Sequence, residues 1–347
     1  MKKKNKYPAV LTGLFCAFLG CGALASVFMP KKSFSETENR YLAQMPSLTW
    51  QSLKSGAFGT EYETYLSDQF PFRDQWIGIK TTAEQLQQKK EINGVWLGRD
   101  HYLIETFYQE DLDPELSGKN LDRLCQFVST QESLMGKDHV RVMLVPVRQA
   151  LSDAKEQQEP YYRTDHHWTS FGAFTGYQAW AASLGLDSFK PSDFQQETVS
   201  DHFLGTIHSK LNIPVQADSI VLYRPKKEPV WSVYYDGSDS PVPSLYSMEA
   251  LNTRDQYRVF LDGNHGWTKI KNHSQADGSK LLIIKDSYAH CFAPFAALHF
   301  EETHMIDLRY YNGKISNFIK EQGITDVLVL YQIPGFLKDR NVSKLTW

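Results

Sequence analysis

The sequence predicts an α/β protein with a mostly parallel sheet and helices on both faces, and three observations carry that expectation. Apolar runs of strand length alternate with amphipathic stretches through much of the chain, the rhythm of parallel sheets. Leu281-Leu282-Ile283-Ile284 is apolar at every position, as expected of a central strand covered on both sides. The chain has 347 residues, 41% hydrophobic and 22% charged, which suits one large domain with appendages and a sizeable core. A formal net charge of -3 argues against nucleic acid as a partner, because such proteins carry a basic excess or stripe.

The first thirty residues differ in kind. Lys2, Lys3, Lys4 and Lys6 form a basic front, and no charge falls between Pro8 and Met29. That run is about long enough to cross a hydrocarbon layer of roughly 30 Å. The basic flank stays in the cytoplasm, so everything after Lys31 is expected outside. A signal anchor ranks first. A signal peptide cleaved near Ala25 ranks second, since Ala23-Leu24-Ala25 fits the small-residue pattern. Lipoprotein processing at Cys21 ranks last. All three deliver the same domain to the extracytoplasmic side.

Three regions follow: residues 1–30 as anchor or signal, 31–90 as stalk and helical region, and 91–347 as the α/β domain. In the second region a helix is expected around 65–70, broken by Pro71 because a residue before proline disfavours helix. Another is expected over 73–90. A strand and turn over 94–100 precede the α/β rhythm. Helices are expected over 121–127, 169–184, 293–300 and 316–321, and strands over 140–146, 281–284, 305–308 and 326–331. Residues 200–277 are richer in Pro, Gly and Ser and read as loops and short strands decorating the core. Cysteine is sparse. Cys16 and Cys21 lie in the apolar run, and Cys125 and Cys291 either pair or act as small buried hydrophobes.

Two short segments carry chemistry. Lys285-Asp286-Ser287-Tyr288 joins the apolar strand to an expected helix. A serine there sits at the carboxyl edge of the sheet, with its N–H near a helix start where an oxyanion is favoured. The plainer reading is a helix N-cap. Arg163-Thr164-Asp165-His166-His167-Trp168-Thr169 is the second segment. If it is extended, Asp165 and His167 face one side and His166 the other. A carboxylate beside an imidazole fixes its tautomer and stabilises the imidazolium. Trp168 would shield the pair, and Thr169 or Ser170 would cap the next helix. A metal site and a purely structural loop are the competing readings; no third ligand stands at helical spacing, so no metal is expected.

Asp165-His166-His167-Trp168 is the motif that names the DHHW family, and the chain resembles that family, which is similar to the alginate O-acetyltransferases of the SGNH hydrolase-like superfamily. Further family landmarks are Glu38-Asn39-Arg40, Asp68-Gln69-Phe70-Pro71-Phe72-Arg73, Gly205-Thr206, Ser209-Lys210, Gly263-Asn264-His265, Lys285-Asp286-Ser287-Tyr288 and Asp307-Leu308-Arg309-Tyr310-Tyr311. The resemblance implies a three-layer, flavodoxin-like SGNH sheet with circularly permuted motif order, the Asp-x-His element preceding the serine. It implies Ser287 as nucleophile, His167 as base and Asp165 as its orienting partner, with Asn264, Tyr288 and Arg309 as substrate or oxyanion contacts. It implies transfer or hydrolysis of acetyl esters on cell-surface polysaccharide without a cofactor, with a membrane-bound O-acyltransferase as the partner that supplies acyl groups. A non-catalytic glycan-binding or assembly protein is the alternative. Two departures stand out: Lys285 replaces the glycine of the superfamily's Gly-Asp-Ser, and the stretch from Val147 to Asp165 is short.

Overall fold

The computed structural model describes residues 7–35, 40–150 and 159–347. Lys2, Lys3, Lys4, Lys6, Glu38, Asn39 and the middle of the short stretch before Asp165 lie outside the described residues. The chain forms two compact units, Met1–Lys89 with Ser209–Pro214, and Lys90–His208 with Val215–Trp347.

In the first unit α1 (Tyr7–Phe28) is the one helix, among the described residues, long and apolar enough to cross a membrane. Strands β1 (Phe34–Ser35) and β2 (Arg40–Tyr41) pair antiparallel, followed by α2 (Trp50–Ser55), α3 (Ala57–Asp68) and α4 (Arg73–Leu86). The 68–73 landmark makes the corner between α3 and α4. Asp68 accepts the Ala43 N–H at 2.8 Å, and the Gln69 amide bridges the carbonyls of Lys32 and Ala43. Phe72, which follows Pro71 and precedes the first residue of α4, takes a left-handed φ of 57°.

The second unit opens with a meander of β3 (Glu91–Ile92), β4 (Val95–Leu97) and β5 (Leu103–Glu105). Helix α5 (Pro114–Met135) extends well beyond the expected 121–127. Asp113 caps it, accepting from the N–H groups of Glu115 and Leu116, and Pro114 occupies the first turn, where no N–H is needed. Then come β6 (Val140–Val145), α6 (Ser170–Ser183), β7 (Phe194–Phe203), the short α7 (Thr206–Ser209), β8 (Asp218–Pro225), β9 (Trp231–Tyr235), β10 (Trp267–Asn272), β11 (Lys280–Lys285), α8 (Ala289–Ala296), β12 (Glu302–Asp307), α9 (Ile315–Gln322), β13 (Asp326–Gln332) and α10 (Ile333–Lys338).

The main sheet has the order β6-β13-β11-β12-β10-β9. Its first four strands run parallel, and β10 and β9 continue it antiparallel. Residues 200–277 are therefore not mere decoration: they supply two sheet strands and β8, which pairs with β7. Side chains alternate across β11. Leu281 and Ile283 join one core with Trp168, Phe174 and Phe292, while Leu282 and Ile284 join another with Phe127, Phe318 and Phe336. Both faces are thus covered by helices, which explains the unbroken apolar run. Cys125 is exposed and Cys291 buried, and both are free thiols.

Candidate active site

Ser287 stands where β11 ends and α8 is about to begin, half-buried at the carboxyl edge of the sheet. Its turn is pinned from beneath. Asp286 Oδ1 accepts the Tyr288 N–H at 2.9 Å, and Oδ2 accepts the Gln332 N–H at 2.8 Å, tying the turn to neighbouring β13. Trp168 Nε1 donates to the Tyr288 carbonyl at 2.8 Å. The Tyr288 phenol donates to the His166 carbonyl and accepts from Gln332 Nε2. Tyr288 is only 1% exposed, and its N–H is engaged by Asp286.

The partner loop folds back on itself, with Tyr161 bridged to Trp168 and the Thr169 N–H bonded to the Pro160 carbonyl. Thr169 caps α6 by accepting the Gly172 N–H at 3.2 Å. Residues 163–167 form a bend, not the extended segment expected from sequence. Asp165 and His167 still meet, because Asp165 Oδ1 accepts both the His167 N–H at 3.0 Å and, at 2.5 Å, a bond from His167 Nδ1. Such an i to i+2 turn is typical of Asp. His166 does not point away. Its ring lies 3.9 Å from that of His167, and its Nδ1 meets Thr206 Oγ1 at 2.7 Å.

His167 Nε2 lies 2.7 Å from Ser287 Oγ. The His167 ring stacks on Tyr257, with centroids 3.8 Å apart and planes inclined by 10°. Serine, imidazole and carboxylate thus form one continuous hydrogen-bonded line across 122 positions of chain, from Asp165 to Ser287. The remaining Asp165 oxygen accepts from the Thr206 N–H at 2.8 Å and its hydroxyl at 3.0 Å. Behind it Asp218 accepts the N–H groups of Arg163 and Thr164 and the Thr164 hydroxyl. Burial opposes charge on Asp165, but the two imidazoles and the Thr206 amide outweigh it and hold the carboxyl well below the usual range. Burial, then neighbouring His166, lowers His167 to about 4 against the pull of Asp165.

Gly205 explains its own landmark. A Cβ there would lie 2.2 Å from Asp165 Cβ and 2.3 Å from its Oδ2, so only glycine permits the carboxylate to sit where it does. Lys285 does not crowd the turn. It is 1% exposed and points into the fold, donating to Asp307 Oδ2 at 3.2 Å and to His290 Nε2 at 2.7 Å. Burial and then the Lys285 charge keep His290 well below the ordinary histidine range, which leaves it a neutral acceptor. Arg309 grips Asp307 through two nitrogens at 2.9 and 2.6 Å, and donates to Asn264 Oδ1 at 3.1 Å. Arg309 is close enough to oppose protonation of His167 and to favour ionisation of Asp286.

Asp165, His166 and His167 also bring potential metal-ligand atoms within 4.8 Å of one another. Both nitrogens of His167, both oxygens of Asp165 and Nδ1 of His166 already hold protein partners, so an ion would have to break the line to serine. The donor set fits an acid–base relay better than a metal. Sequence reasoning missed Asp218, Tyr257 and Gln332, whose isolated positions carry no local motif.

These features define a class: an α/β fold with an Asp-x-His loop facing a serine at the sheet edge. The resemblance to the DHHW family is upheld, since the family model described as DHHW protein matches residues 145–306. Similar solved structures include a DHHW family protein from Eubacterium siraeum, 21% identical over 74% of this chain and 95% of that one, with a TM-score of 0.59. Bacillus cereus PatB1 is 18% identical over 71% and 98%, with a TM-score of 0.59. PatB1 with a sulfonyl adduct is 20% identical over 74% and 99%, with a TM-score of 0.57. At these identities the likeness shows the fold. No curated protein matches the chain in sequence.

Proposed function

We propose that this chain is an extracytoplasmic, serine-dependent O-acyltransferase or esterase acting on acetyl groups of cell-surface polysaccharide. The observation that carries the reading is the 2.7 Å contact between Ser287 Oγ and His167 Nε2, backed by Asp165. Such a line activates a hydroxyl that is otherwise a poor nucleophile. The sulfonyl adduct of PatB1 adds support, because sulfonylation is a reaction of activated nucleophiles. An SGNH-type sheet in permuted order, with residues 31–90 as a stalk and α1 as anchor, completes the proposal.

In the first half-reaction Ser287 Oγ attacks the donor's ester carbonyl while His167 Nε2 takes its proton. The Ser287 N–H, which has no acceptor among the described residues, is the first donor proposed for the developing oxyanion, and the Asn264 amide the second. The tetrahedral adduct expels the donor alcohol, whose oxygen receives the proton from His167. In the second, His167 removes a proton from an acceptor hydroxyl or water, which attacks the acyl-serine carbonyl and returns Ser287 to its hydroxyl form. Asp165 holds the imidazole throughout. A membrane-bound O-acyltransferase is the partner class that would bring acyl groups across the membrane. The test is acetate release from p-nitrophenyl acetate. Ser287→Ala should lower kcat by roughly 10³ to 10⁶; full activity in that variant rejects the assignment.

A further inference from the structure

A second concavity lies on the outer two strands of the sheet. It encloses about 420 Å³ and is lined by Tyr234, Gly237, Ser238, Asp239, Trp267 and Lys269. Its position follows from register. Trp267 on β10 faces Ile306 on β12, and Ile306 faces Ile284 on β11, three residues before Ser287. Trp267 therefore stands level with the end of the serine's own strand. Tyr234 lies directly opposite Lys269, so the two share a sheet face with Trp267. At about 4.8 Å per strand, β10 and β9 lie roughly 10 and 14 Å from β11, a span of a few sugar rings.

The wall of this concavity is rigidly built. Asp236 and Gly237 both have positive φ, and the Ser238 N–H closes the turn on the Tyr235 carbonyl at 2.9 Å. Asp236 then ties the turn to β10 by accepting the N–H groups of Gly266 and Trp267. Trp267 is fixed from behind by His304, to which its Nε1 donates at 3.2 Å, and by Phe318. Lys269 is steadied by Glu302 at 3.1 Å and keeps further N–H groups for a ligand. Half-buried tyrosine and tryptophan rings, one ammonium, one exposed carboxylate and a hydroxyl converge on one space. The C–H bonds of a pyranose face carry partial positive charge and seat on the negative face of an aromatic ring. Its hydroxyls need donors and acceptors together, which Lys269, Ser238 and Asp239 supply.

We propose that this concavity is a remote glycan subsite, holding one ring of a polysaccharide chain whose acyl-bearing unit lies at Ser287. The proposal rests on the acyl-transfer reading for its register, but its test uses binding, not turnover. The full-length Ser287→Ala chain in detergent is titrated calorimetrically with disaccharides and hexasaccharides of β-1,4-linked glucose, β-1,4-linked N-acetylglucosamine and α-1,4-linked galacturonate. At least one hexasaccharide should bind about tenfold or more tighter than its disaccharide. Adding Tyr234→Ala should remove about that factor, the loss expected of one stacked ring, while Tyr234→Phe retains it. Thermal melting of the Tyr234→Ala chain confirms that it is folded. Equal affinity for short and long chains, no binding of any hexasaccharide, or an unchanged affinity in folded Tyr234→Ala overturns the subsite. Loss of the subsite leaves the Ser287 assignment standing, since that is read from ester hydrolysis alone.

Discussion

Gly205→Ala tests the relay without altering any of its three members. The new methyl would start 2.2 Å from Asp165 Cβ and 2.3 Å from Oδ2. Non-bonded carbons settle at about 3.5–4.0 Å, so Asp165 or the Gly205 backbone must retreat by more than about 1 Å. The contact between Asp165 Oδ1 and His167 Nδ1 is 2.5 Å, and a retreat of that size carries it out of good hydrogen-bond range. His167 would lose the group that sets its tautomer. Removal of that group from serine triads costs about 10⁴ in kcat, and we expect roughly 10³ to 10⁴ here. The steric conflict itself costs about 1–3 kcal/mol of stability. The assay is p-nitrophenyl acetate hydrolysis at saturation, with melting followed by circular dichroism. On an Asp165→Asn background the glycine change should add little, because both act on one interaction. A folded Gly205→Ala enzyme within threefold of the parent rate would refute the reasoning.

His167 must be neutral to accept the serine proton, and burial lowers it to about 4, so kcat/KM should fall on acidification with a midpoint near 4 and not near 6.5. The same shift makes the unfolded chain bind more protons between those values, so stability should drop as pH is lowered through that window; a midpoint at or above 6.5 contradicts the buried imidazole. For topology, protease added to intact cells should digest the region beyond Lys31, and full protection on an accessible surface would contradict outward orientation.

The parts of the fold read best from sequence were those with a local cause. The Leu281–Ile284 run announced a covered central strand, and Thr169 announced the start of α6. The long α5 carried its own start signal in Asp113-Pro114, which the apolar spacing at 121–127 obscured. The antiparallel strands were illegible for a physical reason. In β10 the buried face presents Thr268, Ile270 and Asn272, so only one aliphatic residue marks the alternation. Thr268 and Ile270 pair with Met305 and Thr303 on β12, more than thirty residues away, which no local pattern encodes.

The site divides in the same way. Asp165, His167 and Ser287 sit in contiguous motifs, but the residues that hold them do not. Asp218 supports the Asp165 loop from 53 positions away, and Gln332 pins the serine turn from the neighbouring strand. Asp165 and His167 were paired on the assumption of an extended segment. A bend joins them instead, through a carboxylate that accepts both the backbone and the ring of His167. Lys285 shows the limit of comparing motifs residue by residue: where a glycine was expected, a long side chain is accommodated because Asp307 and His290 receive its ammonium beneath the turn.

The most direct test is chemical capture of the nucleophile. The full chain is treated with phenylmethanesulfonyl fluoride at neutral pH and digested, and the modified residue is located by mass spectrometry. A single sulfonyl group on Ser287, absent from His167→Ala, is the predicted result. An unlabelled Ser287 in folded protein, or equal labelling when His167 is removed, would contradict an imidazole-activated serine.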